Sequence, residues 1–158
     1  MIDVGIGEMG LSKINGEQIS THALGSCIAV IAMDLKASVA GLLHFQLPYP
    51  IGNLNNPLRF GNTGIPIFLN QVFELGAQKK DLRLHLVGAS SKISSGDLYN
   101  IAKKNLELAR RLLNKNNIPF MDDHVGGELP RTVHLQVGRQ EWEISEANPK
   151  GFNKRVLI

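Results

Sequence analysis

Two short apolar runs dominate the first third of the chain. Residues 28–33 form the first run and residues 39–43 the second, and the polar stretch 34–38 separates them. Apolar runs of this length, bounded by polar residues, are typical of buried strands. The pattern therefore predicts a β-hairpin. A hairpin brings the start of its first strand close to the end of its second.

Alternation of apolar and polar residues predicts further strands along the rest of the chain. Pro119 indicates an edge strand, because proline cannot donate a hydrogen bond to a ladder. His85 falls opposite the leucines of its strand, so we expect it to be exposed. The tail from Asn148 either pairs at a sheet edge or is mobile. The predicted strands cover residues 2–6, 11–14, 82–87, 118–121, 133–137 and 141–144.

Helical spacing of apolar residues appears in two longer segments, residues 63–78 and residues 97–116. Thr63 and Asp97 are suitable N-terminal caps. Asn105 lies on the apolar side of the second helix, where a buried amide needs partners, so we expect it to brace a neighbouring loop. The loop 48–62, rich in proline, glycine and asparagine, precedes the first helix and begins close to the end of the hairpin.

These elements predict one α/β domain spanning residues 1–158, with a mixed, mainly antiparallel sheet and two principal helices. The length is sufficient for a real core. A hydrophobic content of 43% and a charged content of 20% are ordinary for a soluble globular protein. A single cysteine excludes an internal disulfide framework and suits a reducing cytoplasm.

Composition also argues against several classes of partner. No apolar run approaches the ~20 residues of a membrane span, and the N-terminus lacks the pattern of a signal peptide. The net charge of +3 comes without a basic stripe, and aromatic residues make up only 6% of the chain. We therefore expect neither membrane insertion nor nucleic-acid binding.

The predicted hairpin brings together residues that could perform nucleophilic chemistry. Cys27 starts the first strand and His44 ends the second, while Thr21 lies where it could hydrogen-bond the far side of the imidazole. A cysteine nucleophile needs a base and a group that orients the base. Gly25 and Ser26 form the turn before the thiol, where backbone N–H groups could face an oxyanion. A buried structural cysteine and a core histidine are the alternative interpretations.

Other candidate motifs carry less weight. The glycines of residues 5–10 fit a GxGxxG pattern, but they do not open a helix after a strand of proper length. Residues 122–124 read Asp-Asp-His without a second cluster of ligands, so we expect no metal and no cofactor. Ser90, Ser91 and Arg59 are candidate substrate contacts, although loop serines and a surface arginine need no function.

Several segments together resemble the chemoreceptor glutamine deamidase (CheD) family of bacterial chemotaxis. The strongest part of the resemblance is the set of Thr21, the Leu-Gly-Ser-Cys turn at 24–27 and His-Phe-Gln-Leu-Pro at 44–48. Weaker matches are the Gly-Ala turn at 88–89, Asn105, and Gly126-Gly127 with Arg131 four positions later. The resemblance therefore covers nearly the whole chain.

The resemblance implies a layered α/β sandwich related to bacterial toxin deamidases. It implies that Cys27 is the nucleophile, His44 the general base and Thr21 the residue that positions His44. The implied reaction converts glutamine side chains of chemoreceptors to glutamate with release of ammonia. Some family members also hydrolyse receptor glutamate methyl esters, and members often bind a CheC-type phosphatase.

The chain departs from the family pattern at several positions outside this trio. Val87 and Ala102 replace glycines, His124 replaces an acidic residue, and the Ser-Ser-Lys-Ile segment at 90–93 replaces small and apolar residues. Two alternatives to the deamidase stay open: an adaptor that docks on a phosphatase or receptor without catalysis, and another cysteine-dependent hydrolase such as a methyl esterase or a protease. An accessible thiol with a low pKa favours catalysis, whereas a buried, inert thiol favours the adaptor.

Overall fold

A computed structural model describes residues 1–52, 55–148 and 151–157. It contains ten strands and two α-helices, together with three single-turn 3₁₀ helices. The strands are β1 (Ile2–Asp3), β2 (Glu8–Ser12), β3 (Gln18–Leu24), β4 (Ile28–Asp34), β5 (Val39–Phe45), β6 (Arg83–Gly88), β7 (Met121–Val125), β8 (Arg131–Gln136), β9 (Trp142–Asn148) and β10 (Gly151–Leu157); the helices are α1 (Gly61–Glu74) and α2 (Asp97–Lys115).

The strands form two five-stranded sheets. The first has the order β1-β3-β8-β9-β10 and the second the order β2-β5-β4-β6-β7. Only the β1–β3 and β6–β7 pairs are parallel among the described strands. Helix α2 connects the parallel strands β6 and β7, as a crossover between parallel strands requires. The predicted α/β class with a mixed, mainly antiparallel arrangement is confirmed, and the strands are divided between two sheets.

Both faces of the second sheet are buried, which makes the molecule three-layered. Along β4, Ala29 and Ile31 pack against the first sheet, whereas Ile28 and Val30 pack towards the helices. Neighbouring strand residues point to opposite faces, so an unbroken apolar run fits a strand covered on both sides. This is the physical reason why the run at 28–33 contains no polar position.

The predicted hairpin and both predicted helices are present. Strands β4 and β5 pair antiparallel from Ile28↔Phe45 to Asp34↔Val39. Helix α1 ends four residues earlier than predicted, and α2 ends within one residue of its predicted end. Residues 151–157 of the predicted tail pair with β9 at the edge of the first sheet, which is one of the two outcomes left open for the tail; residues 149, 150 and 158 of it lie outside the described residues.

Several sequence predictions are wrong in part. Thr63 and Asp97 lie inside their helices, because the N-caps are Phe60 and Gly96. The strands predicted at 2–6 and 11–14 are β1 and β2, with different bounds.

Strand β3 was not predicted, and the edge strand after α2 covers Met121–Val125 instead of residues 118–121. His85 is buried, with 6% of its surface exposed, because the first sheet covers the side of β6 opposite the leucines. Its ring lies against Trp142 of β9 at a centroid distance of 4.9 Å.

Tight packing at Gly61 sets the position of α1 against the core. A methyl group at this position would lie 2.7 Å from Leu108 Cδ2 and 2.8 Å from the Phe45 ring. We expect Gly61→Ala to lower the free energy of unfolding by about 1–3 kcal/mol, because overpacking a filled core forces neighbouring atoms to move. Urea unfolding measures the change.

The neighbouring exposed residue provides the control for this prediction. Asn62→Ala adds no atoms to the core, so its free energy of unfolding should stay within about 0.5 kcal/mol of the wild-type value. A Gly61→Ala protein as stable as Asn62→Ala would contradict the packing argument.

Candidate active site

Thr21 and His44 face each other between the two sheets. Thr21 lies on β3 of the first sheet and His44 on β5 of the second, and the two side chains are 0% and 2% exposed. The distance from Thr21 Oγ1 to His44 Nδ1 is 2.8 Å. The structure therefore brings these two predicted residues into direct contact.

The hydrogen-bond network assigns the tautomer of His44. Thr21 Oγ1 lies 2.6 Å from the Val4 carbonyl oxygen, which can only accept, so the hydroxyl proton is donated there. Thr21 Oγ1 must then accept from His44 Nδ1–H. In a neutral imidazole the free lone pair is consequently on Nε2, the atom available to a general base.

Cys27 approaches the same inter-sheet space from the start of β4. Its side chain is 8% exposed and belongs to the inter-sheet core, as does Ala29, which pairs with His44. Because Cys27 and Ala29 share this core and Ala29 is the cross-strand neighbour of His44, Cys27 and His44 lie on the same side of the second sheet. Nε2 of His44 is buried and has no hydrogen-bond partner among the described residues, the thiol included.

Burial holds both groups in their neutral forms. Desolvation raises the pKa of the Cys27 thiol to about 11, although its own backbone N–H acts in the opposite direction. Desolvation also lowers the pKa of His44 to about 4, against the opposing influence of the Val4 carbonyl and the Glu8 carboxylate. Glu8 is the residue that pairs with His44 across β2 and β5.

The bend before Cys27 is held by backbone contacts from the loop after β6. Ser90 N–H donates to the Gly25 carbonyl at 2.8 Å, and Ala89 N–H donates to the Cys27 carbonyl at 2.8 Å. The buried Ser90 hydroxyl lies 3.3 Å from the carbonyl oxygens of Leu24 and Gly25. These contacts fix the backbone of the bend that contains Gly25 and Ser26, and their role towards an oxyanion stays a prediction.

The other predicted substrate contacts are hydrogen-bonded to their own neighbours. Ser91 is half-buried, and its N–H donates to the Gly127 carbonyl. Arg59 Nε donates to the Gln46 side chain at 2.6 Å and is not hydrogen-bonded to Cys27 or His44. Whether Ser90, Ser91 or Arg59 touches a substrate remains a prediction.

Two positions around the cysteine have roles that the sequence alone did not reveal, and the family match was the only signal for them. Gly88 has a φ of +115°, and its Cα lies so close to the Cys27 carbonyl that a Cβ would be 2.3 Å from that oxygen. The buried Arg131 donates to the Gly88 carbonyl at 3.1 Å. The predicted role of Asn105 as a brace for a neighbouring loop is confirmed, because its amide donates to the Ser26 and Gln46 carbonyls.

The described residues contain no group of three or more histidine, cysteine or acidic side chains that could hold a metal ion. No helix in the described part of the chain is long and apolar enough to cross a membrane.

Fold and site thus define a layered α/β protein that buries a histidine, hydrogen-bonded to a threonine, on the same side of a sheet as its single cysteine. A family model described as CheD chemotactic sensory transduction matches residues 46–146. The chain belongs to this CheD family.

Curated relatives agree with this assignment over most of their length. The chain is 36% identical over 138 residues to a probable chemoreceptor glutamine deamidase CheD 1 of Syntrophus aciditrophicus, covering 85% of this chain and 86% of the relative. It is 35% identical over 141 residues to a CheD protein of Solibacter usitatus, covering 87% and 83%. A CheD protein of Pyrococcus horikoshii is 37% identical over 140 residues, covering 86% of both chains. All three carry the name probable chemoreceptor glutamine deamidase.

The two glycines beside the cysteine should respond differently to substitution. Gly88→Ala places a methyl group against a backbone oxygen at a positive φ, so we expect a loss of at least about 2 kcal/mol in the free energy of unfolding. Gly25→Ala meets its nearest atom at 3.9 Å and should change stability by less than about 0.5 kcal/mol. Urea unfolding of both variants checks this, and equal stabilities would refute it.

Stability should depend on pH through the buried His44. A folded-state pKa of about 4 against 6.5 means that the unfolded chain binds the proton more tightly. The contribution of neutral His44 to the free energy of unfolding is therefore fully present above pH 6.5. It is lost as the pH falls towards 4, by up to about 3 kcal/mol for this group. Buried His85, whose pKa is also lowered to about 4, adds a similar dependence.

Comparison of two variants isolates the contribution of His44. Between pH 6.5 and 4, His44→Gln should lose less free energy of unfolding than the wild-type protein does. Urea unfolding at each pH measures this loss. His22→Gln removes an exposed histidine from the same region and should leave the decrease unchanged. An identical pH dependence in wild type and His44→Gln would show that His44 is not held neutral by the fold.

Proposed function

We propose that this protein is a chemoreceptor glutamine deamidase that uses Cys27 as nucleophile, His44 as general base and Thr21 to orient His44. The observation that carries the proposal is the Val4–Thr21–His44 chain of hydrogen bonds, which leaves the Nε2 lone pair free on the face shared with Cys27. Family membership and the names of the relatives support the substrate. The protein would act in the cytoplasm on the receptor's cytoplasmic helices.

In the first half of the reaction, His44 Nε2 takes the thiol proton as Cys27 Sγ attacks the carboxamide carbon. Backbone N–H groups of the bend at Gly25 to Cys27 are the candidates to stabilise the resulting oxyanion. The C–N bond then breaks, and the imidazolium gives its proton to the departing nitrogen, which leaves as ammonia. The product of this half is a thioester on Cys27.

In the second half, water adds to the thioester carbon and His44 accepts a proton from it. The C–S bond breaks, the thiol recovers its proton, and the side chain is released as glutamate. The sum is amide plus water giving carboxylic acid plus ammonia. No cofactor enters this scheme.

Neutral resting forms of Cys27 and His44 are compatible with this order of events. A thiol whose pKa is raised to about 11 contains very little thiolate at neutral pH, so the proton must move during the attack. Catalytic hydrogen bonds are often long or absent without substrate and tighten in the complex. The lack of a Cys27–His44 hydrogen bond in the free protein therefore does not argue against the pair.

The same burial of Cys27 favours the second candidate function, the non-catalytic adaptor. A thiol that is 8% exposed and hard to ionise matches the expectation for an inert structural cysteine. In this case the protein would regulate by docking on a receptor or on a CheC-type phosphatase. The Thr21–His44 hydrogen bond argues for the enzyme, because an adaptor does not need an oriented buried base.

Mass spectrometry of a cytoplasmic chemoreceptor fragment distinguishes the two functions. Wild-type protein should convert specific glutamines to glutamates, while Cys27→Ala should reduce the rate by at least about a thousandfold because the covalent path is lost. His44→Gln should also be inactive. The matched control is His22→Gln, which should keep the wild-type activity.

The possible outcomes are distinct. Conversion that persists in Cys27→Ala would overturn the cysteine mechanism. Absence of conversion with the wild-type protein would favour the adaptor, and loss of methyl ester in place of amide would identify the esterase.

A further inference from the structure

A single polar residue is completely buried on the inner face of α2. Asn105 is 0% exposed and lies among apolar side chains that pack against the second sheet, including Ala102, Leu108, Ala109 and Leu113. Burying an amide in such surroundings costs free energy unless its polar atoms find partners. The contacts of Asn105 therefore indicate why an amide is present there.

The Asn105 side chain joins the nucleophile segment to the base segment. Its Nδ2 donates to the Ser26 carbonyl at 2.9 Å and to the Gln46 carbonyl at 2.8 Å. Both partners are acceptors, so the orientation of the amide is fixed with its nitrogen towards them. An amide nitrogen has two hydrogens, and both are used. One atom thus holds the residue before Cys27 and the residue two positions after His44.

The position of this bridge relative to the strand ladder is informative. The β4–β5 pairing ends at Ile28↔Phe45, and Cys27 lies just beyond it. Past this point the ladder no longer fixes the separation of the two segments. Asn105 spans the gap by bonding one carbonyl on each side, and it does so from a helix in a different layer. Helix α2 therefore links the segment before Cys27 to the segment after His44, in addition to the backbone hydrogen bonds from the loop after β6.

Asn105 is only partly satisfied by its surroundings. Its Oδ1 is buried and has no hydrogen-bond partner among the described residues. An unpaired buried acceptor is unfavourable, so the amide carries a cost that only the two hydrogen bonds of its nitrogen offset. The costly amide is better explained by what its nitrogen holds in place.

We propose that Asn105 is a positioning residue that sets the geometry of Cys27 relative to His44, an inference that rests on the proposed function. It does not touch the thiol or the imidazole, and it acts through the Ser26 and Gln46 carbonyls. Loss of the bridge should impair the chemical step more than substrate binding, because small displacements of reacting groups have large effects on rate.

The test uses two variants of Asn105 and one control in the same helix. Asn105→Ala and Asn105→Leu both remove the donors, and the leucine keeps the space filled if the alanine variant does not fold. Leu113→Ala creates a cavity on the same buried face without contacting the site. We expect kcat to fall about 10- to 100-fold in both Asn105 variants, with KM within about twofold of wild type. Leu113→Ala should retain kcat within about twofold at a temperature where it remains folded.

An independent readout separates this proposal from the proposed function. The rate of Cys27 alkylation by iodoacetamide, followed against pH in the native protein, reports how the thiol is placed and ionised. This pH profile should shift in the Asn105 variants and should match wild type in Leu113→Ala. If the wild-type protein shows no deamidation, the proposed function fails while the alkylation profile still decides the role of Asn105. Asn105 variants that match Leu113→Ala in the alkylation profile, and also in kcat where activity is present, would overturn the positioning role.

Discussion

The hydrogen bond between Thr21 and His44 connects two sheets that share no strand. It lies in the core between them, at a distance of 2.8 Å, and both side chains are shielded from water. A hydrogen bond in such a low-dielectric environment is strong when made, and its unpaired groups are costly when it is broken. The packing of one sheet on the other therefore determines whether His44 is oriented. The third layer contributes through Asn105 of α2, which donates hydrogen bonds to the segments next to Cys27 and His44 on the opposite face of the second sheet.

The main elements of the fold could be predicted because their patterns arise from burial alone. The β4–β5 hairpin contains only apolar side chains along one run, and α2 has a clear apolar stripe. Such segments can be predicted without knowing which elements they pack against. The division into two sheets was not predictable in the same way, because alternation within a strand does not identify which neighbouring strand covers it.

Strand β3, which the sequence pattern does not predict, carries Thr21, the residue proposed to orient His44. In β3, Ile19 and Thr21 are both completely buried and share the face that points to the second sheet. The polar Thr21 occupies a core position where alternation would place an apolar residue, and the polar His22 follows it. Apolar and polar residues therefore do not alternate here, and the sequence does not indicate a strand. Departures of this kind are expected where a polar side chain is kept in the core for its chemistry. His85 was misjudged for a related reason, because its strand is covered on both faces.

Burial affects the proposed chemistry in two opposite ways. It keeps the thiol and the imidazole neutral, which lowers the concentration of the attacking thiolate in the free protein. It also means that charge formed during the attack is stabilised by fixed N–H groups and side chains, with little competition from water. A neutral imidazole with its lone pair on Nε2 is the form that can accept the thiol proton, whereas an imidazolium could not. The burial that makes Cys27 resemble an inert core residue therefore also keeps His44 in the neutral form that a general base needs. In the proposed reaction, the thiol proton would move to His44 only when a substrate carbonyl carbon lies next to the thiol.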